Sequence, residues 1–392
     1  MIDLQQVRKD TPGCSDKLFF NSAGSSLPPA QVTQVMIDYL RKEELVGGYA
    51  LSNIWAEEIG GVYHEVAKLI HGQPHNVAIT YNATDSYARA LESIPFKEGD
   101  TILTTIEDYV SNQIQFISLQ KRLGIRVVHA PTLENGDLDL DRLESMVKTL
   151  RPKLVAVTHV PTSSGMIQDV AAVGEICKEF DDCYYLVDAC QSVGQIEVDV
   201  QRIGCDFLSV TGRKFLRGPR GTGFLYVADR VLKEGLTPLM PDLRGAEWTG
   251  SDKFSTMEDA KRFEFWEFQY AGVLGLKAAA SYANKIGMPS IAAYNKVITD
   301  RLRKGLSLIA GVRLLDRGSR LSNIVTIRKS AVEESDMKAF LDQHQVYYSV
   351  TQASSALYDF KNKGIDWALR LSTHYFNTED EVDRLLEKIE AM

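Results

Sequence analysis

The chain has 392 residues and a formal net charge of −8, with 44% hydrophobic and 24% charged residues. At roughly 100–200 residues per domain this length calls for two or three structural units around a sizeable core. The acid excess excludes a general nucleic-acid binder, which needs a broad basic surface.

The N-terminal MIDLQQVRKD has no apolar h-region, so no secretory signal is expected. No long uncharged apolar run suggests a transmembrane helix. Residues 30–46, AQVTQVMIDYLRKEELV, read as an amphipathic helix that Pro28 and Pro29 help to start. SAGSS (22–26) before it reads as a turn. From residue 77 short apolar runs alternate with helical patterns. The runs are VAIT (77–80), TILTT (101–105), RVVHA (126–130), LVAVTHV (154–160), YYLVDA (184–189) and DFLSV (206–210). Helical patterns over 84–94 and 139–150 lie between them. Fully apolar runs alternating with helices predict an α/β unit, with a mostly parallel sheet covered on both faces and a ligand at the carboxyl ends of its strands. After GTGFLYV (221–227) the pattern changes. Residues 268–286 predict a long helix. Strands at NIVTIR (323–328) and ALRLS (368–372) and a helix over 379–392 then predict a smaller α+β domain. The expected division is an N-terminal segment over 1–30 packing near the site, a large cofactor-binding domain over 31–265 and a small domain over 266–392. Cys14, Cys177, Cys183, Cys190 and Cys205 show no C-x-x-C spacing and no nearby histidine pattern. Neither a metal site nor a disulfide framework is indicated, and a reducing cytoplasm is expected.

Chemistry concentrates at predicted strand ends. Asp188 closes YYLVDA, Lys214 follows DFLSVTGR, and Thr84 opens a helix after VAITYNAT. Singly these read as a turn residue, a solvated lysine and a helix cap. Together they ask for one ligand that needs a carboxylate, an amine and an anion-binding helix start. Pyridoxal 5'-phosphate is such a ligand. Its aldehyde needs a lysine for a Schiff base, its ring nitrogen a carboxylate that keeps it protonated, and its phosphate a helix N-terminus. Lys214 would supply the amine and Asp188 the carboxylate. Ala83, Thr84 and Asp85 would supply the helix start, with Thr211 and Arg213 as further phosphate donors. The basic stretch SVTGRKFLRGPRG in an acidic chain is then explained by a dianion. It lacks the G-K-[ST] order of a phosphate-binding P-loop, and SAGSS is not the G-x-S-x-G nucleophile turn.

In this order the motifs resemble the class V aminotransferase family of fold-type I pyridoxal phosphate enzymes, over nearly the whole chain. That group includes cysteine desulfurases, selenocysteine lyases and isopenicillin-epimerase-like proteins. FFNSAGSSLPP (19–29) is similar to the family's opening stretch, which brings Ala23 and Gly24 to the substrate. NATD (82–85) matches its phosphate-binding helix start. DYVSN (108–112) matches a motif whose aromatic residue, here Tyr109, stacks on the cofactor ring. THVPTSSG (158–165) places Thr162 against cofactor or substrate. VDACQSVG (187–194) gives Asp188 to the ring nitrogen and Gln191 to the ring hydroxyl. TGRK matches Ser-Gly-His-Lys, with Lys214 the Schiff-base lysine. LRLSTHYFNTEDEV (369–382) carries Arg370, which the resemblance assigns to the substrate carboxylate, a task suited to the planar guanidinium fork. The resemblance also implies a homodimer with sites at the interface.

Departures from the family pattern shape the functional expectation. RFEFWE (262–267) has Trp266 and Glu267 where the family has Gly-Thr, and Trp266 is expected either to pack in the core, the favoured reading, or to line the pocket. VGGYALS (46–52) lacks the His and Arg that many desulfurases carry there. Residues 206–392 contain no cysteine, and the region of the desulfurase thiol loop, YYSVTQASSALYDFKNKG (347–364), offers serine and tyrosine instead. Cys190 reads as a small buried apolar residue. The expected activity is therefore cleavage of a Cβ–S bond of a cysteine-derived amino acid by β-elimination, releasing pyruvate and ammonia. The look is closest to cystine lyases and hercynylcysteine sulfoxide lyases. Transamination or epimerisation of a small amino acid is the alternative on the same residues. A binding protein that has abandoned catalysis is the third reading, which the retained Lys214 and Asp188 oppose.

Overall fold

The structure, a computed structural model, describes residues 2–392. The apolar runs fold as strands: β1 (Val77–Thr80), β2 (Thr101–Thr105), β3 (Arg126–Ala130), β4 (Leu154–Thr158), β5 (Tyr184–Asp188), β6 (Phe207–Thr211) and β7 (Gly223–Val227). They form one seven-stranded sheet in the order β1-β7-β6-β5-β4-β2-β3. β2 to β6 run parallel, and β7 runs antiparallel to both its neighbours. Successive side chains of a strand alternate between two cores. Val155, Val157, Tyr185, Val187, Leu208 and Val210 enter one, while Leu154, Ala156, Tyr184, Leu186 and Phe207 enter the other. Burial on both faces is why these strands lack the polar alternation of a half-exposed sheet.

A second sheet, antiparallel throughout, joins β8 (Val312–Leu314), β9 (Ile324–Lys329), β10 (Ser349–Gln352) and β11 (Trp367–Ser372) in the order β8-β9-β11-β10. Helices Met288–Leu308 and Glu379–Ala391 cover it through Ile298, Leu302, Val382 and Leu385. The last helix starts with a capping box, in which Thr378 and Glu381 each accept from the other's backbone N–H. The N-terminal segment straps the two sheets together. Leu18–Phe19 pairs in parallel with Val346–Tyr347, and Ser26 N–H donates to the Arg213 carbonyl.

Three local expectations change. The stretch 22–26 holds one helical turn, Ser22–Ser25, and not a plain turn. Helix Tyr270–Ile286, expected beside the small domain, packs on helices Ala56–Leu69 and Ala30–Val46 of the large one. Its small residues allow this: at Gly275 an added Cβ would lie 2.9 Å from Met36 Sδ and 3.0 Å from Pro219. Trp266 is 43% exposed and lies outside the core. Among the described residues no helix is long and apolar enough to cross a membrane.

One close approach fixes the turn after β6. Gly194, at φ +95°, passes so near Phe215 that an added Cβ would meet its carbonyl carbon at 2.4 Å. Gly204, at φ +66°, has nothing within 4 Å. Gly194→Ala is expected to cost about 2–4 kcal/mol, from positive φ plus overpacking. Gly204→Ala should cost about 1 kcal/mol, from φ alone. Urea unfolding of both variants checks this; equal losses would show that the contact with Phe215 is unimportant.

Candidate active site

The carboxyl ends of the parallel strands carry polar residues where the apolar runs stop: Thr105, Thr158, Asp188 and Thr211. The loops that follow them, and helix Ala83–Ser93 after β1, enclose a cavity of about 170 Å³. It is lined by Asn82, Ala83, Thr84, Tyr109, Thr162, Asp188, Gln191, Thr211, Arg213 and Lys214, among others. A second cavity, about 270 Å³, adjoins it. Ala23, Gly24 and Arg370 line that one, again with Tyr109, Thr162, Arg213 and Lys214. Of the residues singled out in the sequence, all but Asp85 line one of these two cavities.

Asp85 is engaged elsewhere. Its N–H donates to the capping oxygen of Asn82 (3.0 Å), and its carboxylate accepts from Arg89 (2.7 Å) and from Tyr81 N–H (3.1 Å). The amides of Ala83 and Thr84 have no acceptor among the described residues, as expected at a helix start. Ser209 of β6 donates to the Ala83 carbonyl (3.1 Å), tying this helix end to the strand that leads to Lys214.

Asp188 is buried at the sheet centre. One oxygen accepts from Cys190 N–H (3.0 Å), the other from Asn112 Nδ2 (3.1 Å). Asn112 also donates to Asp108 (2.9 Å), which further accepts from Thr158 Oγ1 (2.6 Å), Gln113 Nε2 (2.6 Å) and Tyr109 N–H (2.7 Å). Burial raises the Asp108 carboxyl, and these hydrogen bonds oppose the rise. Asn82, Asp108, Asn112 and Thr158 were not singled out in the sequence. Three of them stood inside motifs quoted for a neighbour, and Thr158 opens THVPTSSG.

Lys214 is 7% exposed, with its ammonium 5.7 Å from the Tyr109 ring centre. Burial pushes its pKa down, while Cys190 and Asp188 act to raise it. An amine with a lowered pKa gives up its proton more readily, as a nucleophilic or basic lysine requires. The thiol of Cys190 is pushed well above its usual value, first by burial and then by Asp188. Gln191 donates to Thr162 Oγ1 (2.9 Å) and the Ala23 carbonyl (3.2 Å), and its side-chain Oε1 is buried without a donor. Arg370 donates to Thr162 Oγ1 (2.7 Å) and carbonyl (3.0 Å), and its Nε is buried without an acceptor. Burial, with Arg213 nearby, pushes Arg370 down to about 10. Arg213 donates to the Gly24 carbonyl.

This donor set fits pyridoxal phosphate. Free amides sit at one end, a buried carboxylate faces the middle, and an amine faces an aromatic ring. Sheet order, crossing helices and site together define a fold-type I pyridoxal phosphate enzyme.

The aminotransferase class-V family matches residues 18–385, and the chain belongs to that family. A probable cysteine desulfurase of Pyrococcus abyssi is 31% identical over 401 residues, covering 99% of this chain and 97% of that one. The apo structure of a cysteine desulfurase from Thermococcus onnurineus NA1 superposes with a TM-score of 0.91 at 28% identity, covering 100% of this chain and 98% of that one. The cystine C-S lyase C-DES, in complex with its product cysteine persulfide, shares the fold, with a TM-score of 0.86 at 22% identity over 97% of this chain and 99% of that one. A mutant of the same lyase carries glycine covalently linked to its PLP cofactor. The cofactor of the present enzyme is pyridoxal 5'-phosphate.

Beside the site, Glu107 is buried with Oε2 unpartnered. Lys363 lies 3.9 Å from its other oxygen and 2.7 Å from Asp359. Burial, then Asp359, raises Glu107 to about 8, against the opposing pull of Lys363 and Ser164. The folded chain therefore holds this proton where the unfolded chain, at about 4.3, has lost it. Stability is expected to fall as pH rises from about 4.3 to about 8. In Glu107→Gln that part of the slope should vanish, so the variant's Tm should gain on the wild type between pH 5 and 8. A constant Tm difference across that range would refute the assignment.

Proposed function

We propose that the enzyme cleaves the Cβ–S bond of a cysteine-derived amino acid by β-elimination, with water converting the carbon skeleton to pyruvate and ammonia. The observation that carries this reading is the wall contributed by residues 349–355. It brings Ser349, Val350, Thr351 and Ser355 to the substrate-side cavity and no cysteine. The one cysteine lining either cavity is Cys190, buried and with its thiol pKa raised, which is the opposite of a nucleophilic thiolate.

In this reading Arg370 binds the substrate carboxylate through its fork, and the unpartnered Nε supports that role. Lys214 Nζ takes the proton from Cα, which its lowered pKa favours. Asp188 would keep a proton at the cofactor's ring nitrogen, and Tyr109 would lie against the ring. Gln191 and Thr162 orient the ring-hydroxyl side. Ala83, Thr84, Thr211 and Arg213, with Asn82 beside them, would hold the phosphate end. When bound, the cofactor supplies the electron sink that makes the Cα proton removable. The sulfur leaves as a thiolate and takes up a proton, so one cysteine derivative and one water yield pyruvate, ammonia and a thiol.

The relatives' names favour a desulfurase, which releases alanine and sulfur. The two readings separate in one assay. Incubation with cysteine, cystine, S-conjugates and sulfoxides is expected to release pyruvate from at least one of them. Alanine with sulfur, and no pyruvate, would make the protein a desulfurase. Amino transfer to a keto acid alone would make it an aminotransferase. Lys214→Ala should lose about 10³-fold or more in turnover, together with the cofactor's lysine-bound absorbance. Retention of both would remove Lys214 from its role.

We also read the enzyme as a homodimer. Leu239, Met240 and Leu243, with Trp248 and Phe254 of the hairpin Ala246–Gly250/Lys253–Thr256, are 58–80% exposed, an apolar surface that a second copy would cover. Light scattering at micromolar concentration is expected to give twice the chain mass. A monomer would refute this.

A further inference from the structure

Helix Leu357–Lys363 follows directly on the substrate wall, from which Ala356 alone separates it. Ala356 and Phe360 share a small apolar core with Leu315 and Ala368, which fixes the helix to the small domain. Towards the large domain its contacts are of another kind. Lys363 Nζ lies 2.7 Å from Asp359, one turn back on the same helix, and 3.9 Å from Glu107, which follows β2. All three side chains are buried. The Tyr358 ring meets His129 of β3 at 4.6 Å between ring centres. Glu107 is itself held, since its carbonyl accepts from Gln168 Nε2 (3.1 Å) and Thr105 Oγ1 (3.1 Å). Asp108 and Tyr109 come next in the chain. Lys363 therefore ties the segment that carries the substrate wall to the loop that carries Tyr109.

Apolar faces tolerate sliding, whereas a buried ammonium has few positions in which its charge is met. With Glu107 keeping its proton at neutral pH, the set holds one ammonium and one carboxylate and is neutral. The wall needs such a fixed point, because β10 is an edge strand paired on one side only and Ala353–Ser355 is a single short turn. We propose that Lys363 is a positioning residue for the substrate: through Glu107 it sets the depth of Thr351 and Ser355 in the substrate-side cavity, and so decides how well a side chain extending beyond Cβ is bound. Both residues line that cavity. This inference rests on reading the second cavity as the substrate's, and not on which bond is broken there.

The test titrates the cofactor absorbance of the holoenzyme, by rapid mixing, with L-alanine and with S-ethyl-L-cysteine. Arg370 can hold either carboxylate, but the alanine side chain ends at Cβ. The wild type should bind the thioether tighter. Lys363→Met should lose about tenfold in affinity for the thioether and stay within about twofold for alanine, as loss of a preorganised wall predicts. Hydrogen exchange of the amides over 349–364 should speed up about tenfold in the variant while β5 and β6 keep their rates. Lys363→Arg should recover part of both effects. Because Lys363→Met leaves Asp359 unpaired, the double variant Lys363→Met/Asp359→Asn, which removes both charges from the helix, is measured beside it and should show the same split. No thioether preference in the wild type, an equal loss for both ligands, or wild-type exchange over 349–364 would each overturn the proposal. So would wild-type affinities in the double variant, since an unpaired charge would then explain the single one. Neither readout needs turnover, so failure of the elimination reading leaves the result intact.

Discussion

The site depends on two buried carboxylates that share one amide. Asp188 ends β5, and Asp108 follows β2; Asn112 donates to both, at 3.1 and 2.9 Å. A buried carboxylate without donors is prohibitively costly, and removing one partner of a buried network leaves the full desolvation penalty behind. Here the donors come from β4 (Thr158), from helix Val110–Leu123 (Asn112, Gln113) and from the loop backbone. Satisfying the charges therefore sets three chain segments at one depth. Tyr109 is positioned by the same bonds, because its own N–H donates to Asp108. Its ring then faces Lys214 without any further contact being needed.

A buried cation does the corresponding work on the lysine side. Arg217 is fully buried with no carboxylate partner among the described residues, at φ +65°. Its side chain donates to the Leu27 carbonyl (2.8 Å) and to Thr11 Oγ1 (2.5 Å), and lies over Tyr375 and Phe376 at 4.9 and 5.0 Å from their ring centres. Its N–H donates to the Lys214 carbonyl (2.9 Å), and Gly218 N–H closes the turn on the Gly212 carbonyl (2.7 Å). A non-glycine residue at positive φ persists only where its surroundings over-determine it. In this turn the N-terminal strap, the lysine loop and the small domain all meet on one side chain. The strap that lines the substrate cavity is thereby referenced to Lys214.

Much of this was legible in the sequence, for a physical reason. Strands buried on both faces must be apolar throughout, so polar residues that interrupt them mark their ends, and in a parallel sheet those ends are where a ligand sits. Asp188, Lys214 and Thr84 stand out that way. What stayed hidden were partners that act across the sequence. Asn112 reaches Asp188 over 76 residues and Arg217 reaches Thr11 over 206, and neither has a local signature. Asp85 looked like part of the helix start because first-turn acids are common there, yet its carboxylate serves Arg89. Helix Tyr270–Ile286 was grouped with the small domain because it follows the last large-sheet strand. Its alanines and glycines, which let it lie close to the large domain, read in sequence only as helix-compatible spacing.

The two cavities differ in how they are built, and that difference bears on chemistry. The cofactor end is made by strand termini of one continuous sheet, where a shift of any residue would propagate through packed neighbours. The substrate end is made by separate pieces: the strap at Ala23 and Gly24, Arg370 on β11, and the edge strand β10. β10 pairs on one side only, with Ser349 opposite Arg370 in register. Substitutions at Ser349, Thr351 or Ser355 therefore change what a substrate side chain meets without disturbing the sheet that holds Asp188. Arg370, by contrast, is central, since β9 and β10 flank it at Thr326 and Ser349. A scaffold with a rigid cofactor end and an adjustable substrate wall can keep proton removal at Cα constant while the wall decides which group leaves. The wall without a thiol stands at that adjustable end, apart from the carboxylate network.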